Sequence, residues 1–92
     1  MTHTEVTLMI AEEVERASRI HPRWPKDPIH AMAVLGEEYG ELNKAILQYI
    51  YEPHKEVTLE DIEEEAIQTA AMAIRFLVNL DRYDFKKGEQ VQ

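Results

Sequence analysis

Ile62-Glu63-Glu64-Glu65-Ala66-Ile67-Gln68-Thr69-Ala70-Ala71-Met72-Ala73-Ile74-Arg75-Phe76-Leu77-Val78-Asn79-Leu80 is the stretch on which the fold turns. At about 100° per residue, Ile62, Ala66, Ala70, Ala73, Leu77 and Leu80 fall on one apolar stripe. Ile67, Ala71, Ile74 and Val78 fall on another at the opposite side. A helix that is apolar on two faces is normally buried on both. Thr58 is placed to cap it, and Glu60 and Asp61 put negative charge at the positive end of the helix dipole, so a helix is expected from Thr58 to about Leu80. The chain has 92 residues, and a single core of that size is small. Covering both stripes therefore calls for a partner subunit, and the alanines allow helices to approach closely. The expected fold is all-α: a helical bundle of three main helices per chain, completed by oligomerisation into a homodimer or homotetramer.

Outward from that stretch, the same signals mark two further helices. Thr2-His3-Thr4-Glu5 has the form of a capping box, and Val6, Met9, Ile10, Val14, Ala17 and Ile20 follow at helical intervals, which predicts a first helix from about Thr4 to Arg19. His21-Pro22-Arg23-Trp24-Pro25-Lys26 is a proline-punctuated loop. Asp27 and Pro28 then suit the cap and first position of a second helix that runs to about Tyr51. Glu52-Pro53-His54-Lys55-Glu56-Val57 breaks it. A polar tail is expected from about residue 82, with a short turn around Tyr83 and Phe85 before a disordered end. Residues 1–92 read as a single domain, with no internal repeat and no strand pattern.

Composition narrows the function. The chain has no cysteine, which excludes disulfides, thiolate zinc sites and a cysteine nucleophile, and suits a cytoplasmic location. No signal-peptide pattern opens it, and no apolar run approaches the roughly 18 residues of a membrane span. A formal charge of −8 repels nucleic acid polymers and anionic lipids. Ser18 is the sole serine, so no serine-histidine-aspartate set can be assembled. A small anion remains a possible ligand where metal ions screen the acidic groups.

The second predicted helix carries Glu37-Glu38-Tyr39-Gly40-Glu41, three carboxylates within five residues. Residues three apart are neighbours on a helix, so Glu38 and Glu41 can aim at one place, and oxygen ligands so arranged suit Mg²⁺ or Mn²⁺. His30, Glu37, Glu41 and Gln48 project within about 20° of one line, with Glu38 about 80° to the side. Leu35, Tyr39, Leu42 and Ile46 take the core side. On the third helix Asp61, Glu65 and Gln68 form an oxygen-bearing edge. If the two edges face one another, four or more carboxylates converge. Spacing alone does not separate this arrangement from the solvated face of an amphipathic helix, which is the commoner one.

The string Val34-Leu35-Gly36-Glu37-Glu38-Tyr39-Gly40-Glu41-Leu42, followed by Glu64-Glu65-Ala66-Ile67-Gln68, resembles the MazG-like family of all-α nucleoside triphosphate pyrophosphohydrolases. The family pattern is EExxE, a spacer, then ExxD, and the resemblance covers roughly Trp24 to Leu80. It implies hydrolysis of (deoxy)nucleoside triphosphates to monophosphate and pyrophosphate with Mg²⁺. Glu37, Glu38, Glu41 and Glu65 match the catalytic carboxylates, and Glu38, Glu41, Glu65 and Gln68 the metal-binding positions. Gln68 departs from the pattern, standing where the family has Asp. It offers a neutral carbonyl oxygen, and Asp61 or Glu64 is placed to supply the missing charge. A catalytically weakened nucleotide- or protein-binding module is the alternative.

Trp24, His30 and Lys44 are the expected substrate contacts. Trp24 either stacks on a base or caps the small core. His30 either hydrogen-bonds substrate or a metal-bound water, or is a plain helix residue. Lys44 and Arg75 either meet phosphates or pair with glutamates. Tyr39 and Met72 are expected to pack.

Overall fold

Thr2 opens the first helix. Its hydroxyl accepts from the Glu5 N–H while the Glu5 carboxylate accepts from the Thr2 N–H, both at 3.1 Å, so two backbone donors with no partner inside the helix are satisfied. In the computed structural model, which describes residues 1–85, α1 spans His3–Ile20, α2 spans Pro28–Tyr51 and α3 spans Leu59–Val78. Asp27 caps α2 by accepting from the Ile29 N–H at 2.9 Å, and Pro28 stands at its start. A 3₁₀ turn at Pro53–Lys55 and a left-handed Glu56, φ 56°, reverse the chain into α3. Thr58 and Asp61 close a second reciprocal box there, at 2.8 and 3.1 Å. No strand occurs among the described residues.

α3 stops two residues before Leu80. Asn79 donates to the Arg75 carbonyl from its own N–H at 3.3 Å and from its side chain at 2.8 Å. That local bonding competes with the helix ladder, and a 3₁₀ turn at Leu80–Arg82 takes over. The tail expected from about 82 is tied down at its beginning. Tyr83 is buried, its hydroxyl donates to the Phe76 carbonyl at 3.0 Å, and its ring packs on Phe76 and, edge-on, on Phe85. The expected disordered end falls outside the described residues.

α1 and α2 each pack on α3, and their backbones do not approach one another. Ala17, Ala71 and Met72 form the core cluster, with Val14, Trp24, Val34 and Leu35 packed around it. Ala31 and Ala71 are fully covered, which draws the helices close. No large side chain among the described residues is fully buried. Of the two α3 stripes, the one through Ala71 is covered only in part: Ala71 is buried and Ile67 half-buried, whereas Ile74 and Val78 are exposed, and the buried line of α3 runs through Ala71, Met72 and Arg75 instead. The other is nowhere buried: Ala66, Leu77 and Leu80 are exposed, and Ile62, Ala70 and Ala73 are half-buried.

The position of Tyr39 corrects the sequence reading. It was expected beside Leu35, Leu42 and Ile46, which are half-buried, but it is 57% exposed. The α2 face that meets α3 runs through Ala31, Glu38 and Ala45, and Tyr39 lies about 100° round from it. Met72 is buried as expected. Among the described residues no helix is long and apolar enough to cross a membrane.

Candidate functional site

Seven residues separate Ala31 from Glu38 and Glu38 from Ala45, so all three share one helical line. The alanines are buried at the α2–α3 contact, and that places the Glu38 carboxylate, half-buried, at the seam between the helices. Opposite it, α3 presents Glu65, also half-buried. Burial pushes the Glu38 carboxyl above the ordinary glutamate range, and the charges of Glu41, Glu37 and Glu13 push it further. Glu65 is raised for the same first reason, with Glu38, Glu41, Glu64 and Asp61 adding repulsion. The two predicted edges therefore lie close enough to act on one another across the helix pair.

Among the described residues none of Glu37, Glu38, Glu41 and Glu65 is in an ion pair. The ion pairs among the described residues are Glu13 with Arg16 and Glu15 with Arg19, both within α1. Hard oxygen donors with uncompensated charge fit a divalent ion such as Mg²⁺. The fit is one of chemistry and neighbourhood: no three histidine or carboxylate side chains among the described residues are arranged to hold a metal ion.

Each predicted residue has a definite place. Glu37 is exposed and reaches the cluster as a charge acting on Glu38. Glu41 and Lys44 line a groove of about 210 Å³ with Asp61 and Glu65, so Lys44 stands at the carboxylate end. One oxygen of Asp61 is engaged by the Thr58 N–H at 2.8 Å. The Gln68 amide donates to Glu64 at 3.4 Å, a long contact.

Trp24, His30, Glu38 and Gln68 share a different cavity of about 450 Å³. Trp24 is its half-buried wall and packs on the core, which is the second of its two sequence readings. The indole N–H is taken: it donates to the Tyr83 hydroxyl at 2.7 Å. The Arg75 guanidinium lies 4.8 Å from the Trp24 ring centre and donates to the His21 carbonyl at 2.6 Å. Arg75 pairs with no glutamate.

The sequence reading missed Glu13. It comes from α1, lines the same cavity, acts on Glu38, and is gripped by Arg16 through two contacts of 2.8 Å. Its signal was phase: Glu13 stands on the apolar face of α1, four residues before Ala17.

No family model, curated protein or solved structure matches this chain. The functional reading therefore rests on the residues themselves.

Proposed function

We propose that the protein is a Mg²⁺-dependent pyrophosphohydrolase of the MazG-like kind, converting (deoxy)nucleoside triphosphates to monophosphate and pyrophosphate. One observation supports the reading: the charges of Glu38 and Glu41 on α2 act on Glu65 of α3, none of the three is ion-paired among the described residues, and Glu38 lines the cavity with Trp24 and His30. Gln68 adds a neutral oxygen at the same end. When bound, Mg²⁺, or Mn²⁺ in its place, neutralises phosphate charge and acidifies a water molecule. Glu38, Glu41, Glu65 and Gln68 are the residues that would hold it.

Release of pyrophosphate requires a water oxygen to bond to the α-phosphorus while the bond to the β-phosphate bridge oxygen breaks, so that one water and one triphosphate give one monophosphate and one pyrophosphate. Glu41 or Glu37 takes the proton from that water. Lys44 lies in the adjoining groove and offers positive charge to the departing phosphates. His30 lines the cavity beside Glu38, where the nucleoside lies, and Trp24 forms part of its wall. In this reading self-association through the uncovered α3 stripe, Ala66, Leu77 and Leu80, completes the bundle as a homodimer or homotetramer.

A second reading, a weakened member that binds nucleotide or a protein, is favoured by Gln68 in place of an acid and by the lack of three carboxylates set for one ion. Titrating Mg²⁺ while following thermal unfolding tests the proposal. A ligand that binds only the folded state stabilises it by about 2.7 kcal/mol at a hundred times its dissociation constant. Wild type is expected to show this shift, and Glu38→Gln and Glu65→Gln to lose most of it. An equal response in all three proteins overturns the metal site.

A further inference from the structure

We propose that the Trp24 end of the 450 Å³ cavity is a subsite for an oxyanion, a phosphate group above all, with the Arg75 guanidinium as its receptor and Arg23 as its outer partner. Arg75 is only 7% exposed, yet no carboxylate among the described residues pairs with it. Buried charges are ordinarily matched by an opposite charge. The acceptor that Arg75 does have, the His21 carbonyl, is neutral, and so is the indole beneath it. Burial alone acts on the guanidinium, drawing its pKa down, and neither Glu13 nor Glu38 on the same cavity wall exerts a pull on it.

The unused donors of Arg75 are accessible. One terminal nitrogen serves His21, and the other guanidinium nitrogens have no acceptor among the described residues. None of them is sealed from solvent, because no buried polar side-chain atom among the described residues lacks a partner. Arg75 lines the cavity together with Trp24 and Arg23. A guanidinium with its carbon 4.8 Å from the indole centre and one nitrogen bonded to the His21 carbonyl is restrained in place, and its planar fork matches the spacing of phosphate oxygens.

Of the other arginines on this wall, Arg16 is neutralised by Glu13. Arg23 is exposed and in no ion pair among the described residues. In a chain of net charge −8, two unmatched arginines on one cavity wall run against the general field. Arg75 lies seven residues along α3 from Gln68, about 10 Å by helix rise, so the subsite is separate from the carboxylate end. It needs no metal and does not depend on hydrolysis.

The test is binding in the presence of EDTA, by calorimetry on the full chain, with three probes: a nucleoside, its 5′-monophosphate and inorganic phosphate. The monophosphate is expected to bind at least about tenfold more tightly than the nucleoside, with inorganic phosphate competing. Arg75→Gln and Arg23→Gln are each expected to weaken monophosphate binding about 10- to 100-fold, the value of a charge-assisted hydrogen bond, and to leave nucleoside binding unchanged. Arg23 is exposed, so its variant keeps the test valid if Arg75→Gln fails to fold. Equal binding of nucleoside and monophosphate overturns the proposal, as does monophosphate binding unaffected by Arg23→Gln and by any folded Arg75→Gln protein. Either failure leaves metal-dependent hydrolysis at the carboxylate end standing.

Discussion

Removing one oxygen atom from Tyr83 breaks the hydrogen-bond relay from Trp24 to the end of α3. The hydroxyl accepts from the Trp24 indole at 2.7 Å and donates to the Phe76 carbonyl at 3.0 Å. That carbonyl belongs to the last turn of α3, where carbonyls lack helical partners. Tyr83→Phe keeps the ring and its contacts with Phe76 and Phe85, so packing is unchanged while two polar groups lose their partner. Each orphaned group costs about 1 kcal/mol in this partly buried setting, about 2 kcal/mol together. For a domain of this size that lowers Tm by about 8–16 °C, at about 4–8 °C per kcal/mol. Far-ultraviolet circular dichroism melts at fixed protein concentration measure the shift, and Trp24, the sole tryptophan, reports local loosening by a red-shifted emission. A Tm within about 2 °C of wild type and an unchanged emission spectrum would refute the hydrogen-bond relay.

Three further outcomes are expected. Glu38 and Glu65 have folded-state pKa values above the ordinary one, so their ionisation opposes folding, and the stability they contribute at low pH is lost as pH rises from the unfolded value through the folded one. Without divalent cations, Glu38→Gln and Glu65→Gln should therefore exceed wild type in denaturant stability at pH 7, with the gap closing below about pH 4.3; glutamine variants weaker than wild type at pH 7 contradict the sign. Thr58→Ala removes one half of the capping box at α3 and should cost about 1 kcal/mol in a thermal melt, whereas no change would mean that the box contributes nothing. Leu77→Lys places a charge on the uncovered α3 stripe, at a residue 64% exposed in the protomer, so light scattering should show a dimer or tetramer reduced to monomer with helicity intact; a monomeric wild type contradicts self-association.

Helix ends are legible because they are local. Thr2 with Glu5, Asp27 with Ile29, and Thr58 with Asp61 each join a side chain to a backbone N–H two or three residues away, and all three caps form. Which face of a helix meets its neighbour is a tertiary fact, and periodicity left it open. Tyr39 and Leu35 look equivalent as apolar residues four apart, yet α3 selects the Ala31–Glu38–Ala45 line and leaves Tyr39 in solvent. The convergence of Glu38 with Glu65 follows from that selection. Polar residues in apolar phase carried the better signal: Glu13 before Ala17 on α1, Glu38 between buried alanines on α2, and Arg75 after Ala71 on α3 are the groups that line the cavity. The docking of Tyr83 was hidden for another reason, since its partner Trp24 lies 59 residues away and no local pattern links them.

The most direct measurement incubates purified protein with a panel of common ribo- and deoxyribonucleoside triphosphates and Mg²⁺, separating pyrophosphate from orthophosphate. The account predicts monophosphate and pyrophosphate in equal amounts, abolished by EDTA and reduced at least about a hundredfold in Glu38→Gln and Glu65→Gln. Diphosphate and orthophosphate, or no product from folded protein with any triphosphate, would contradict it.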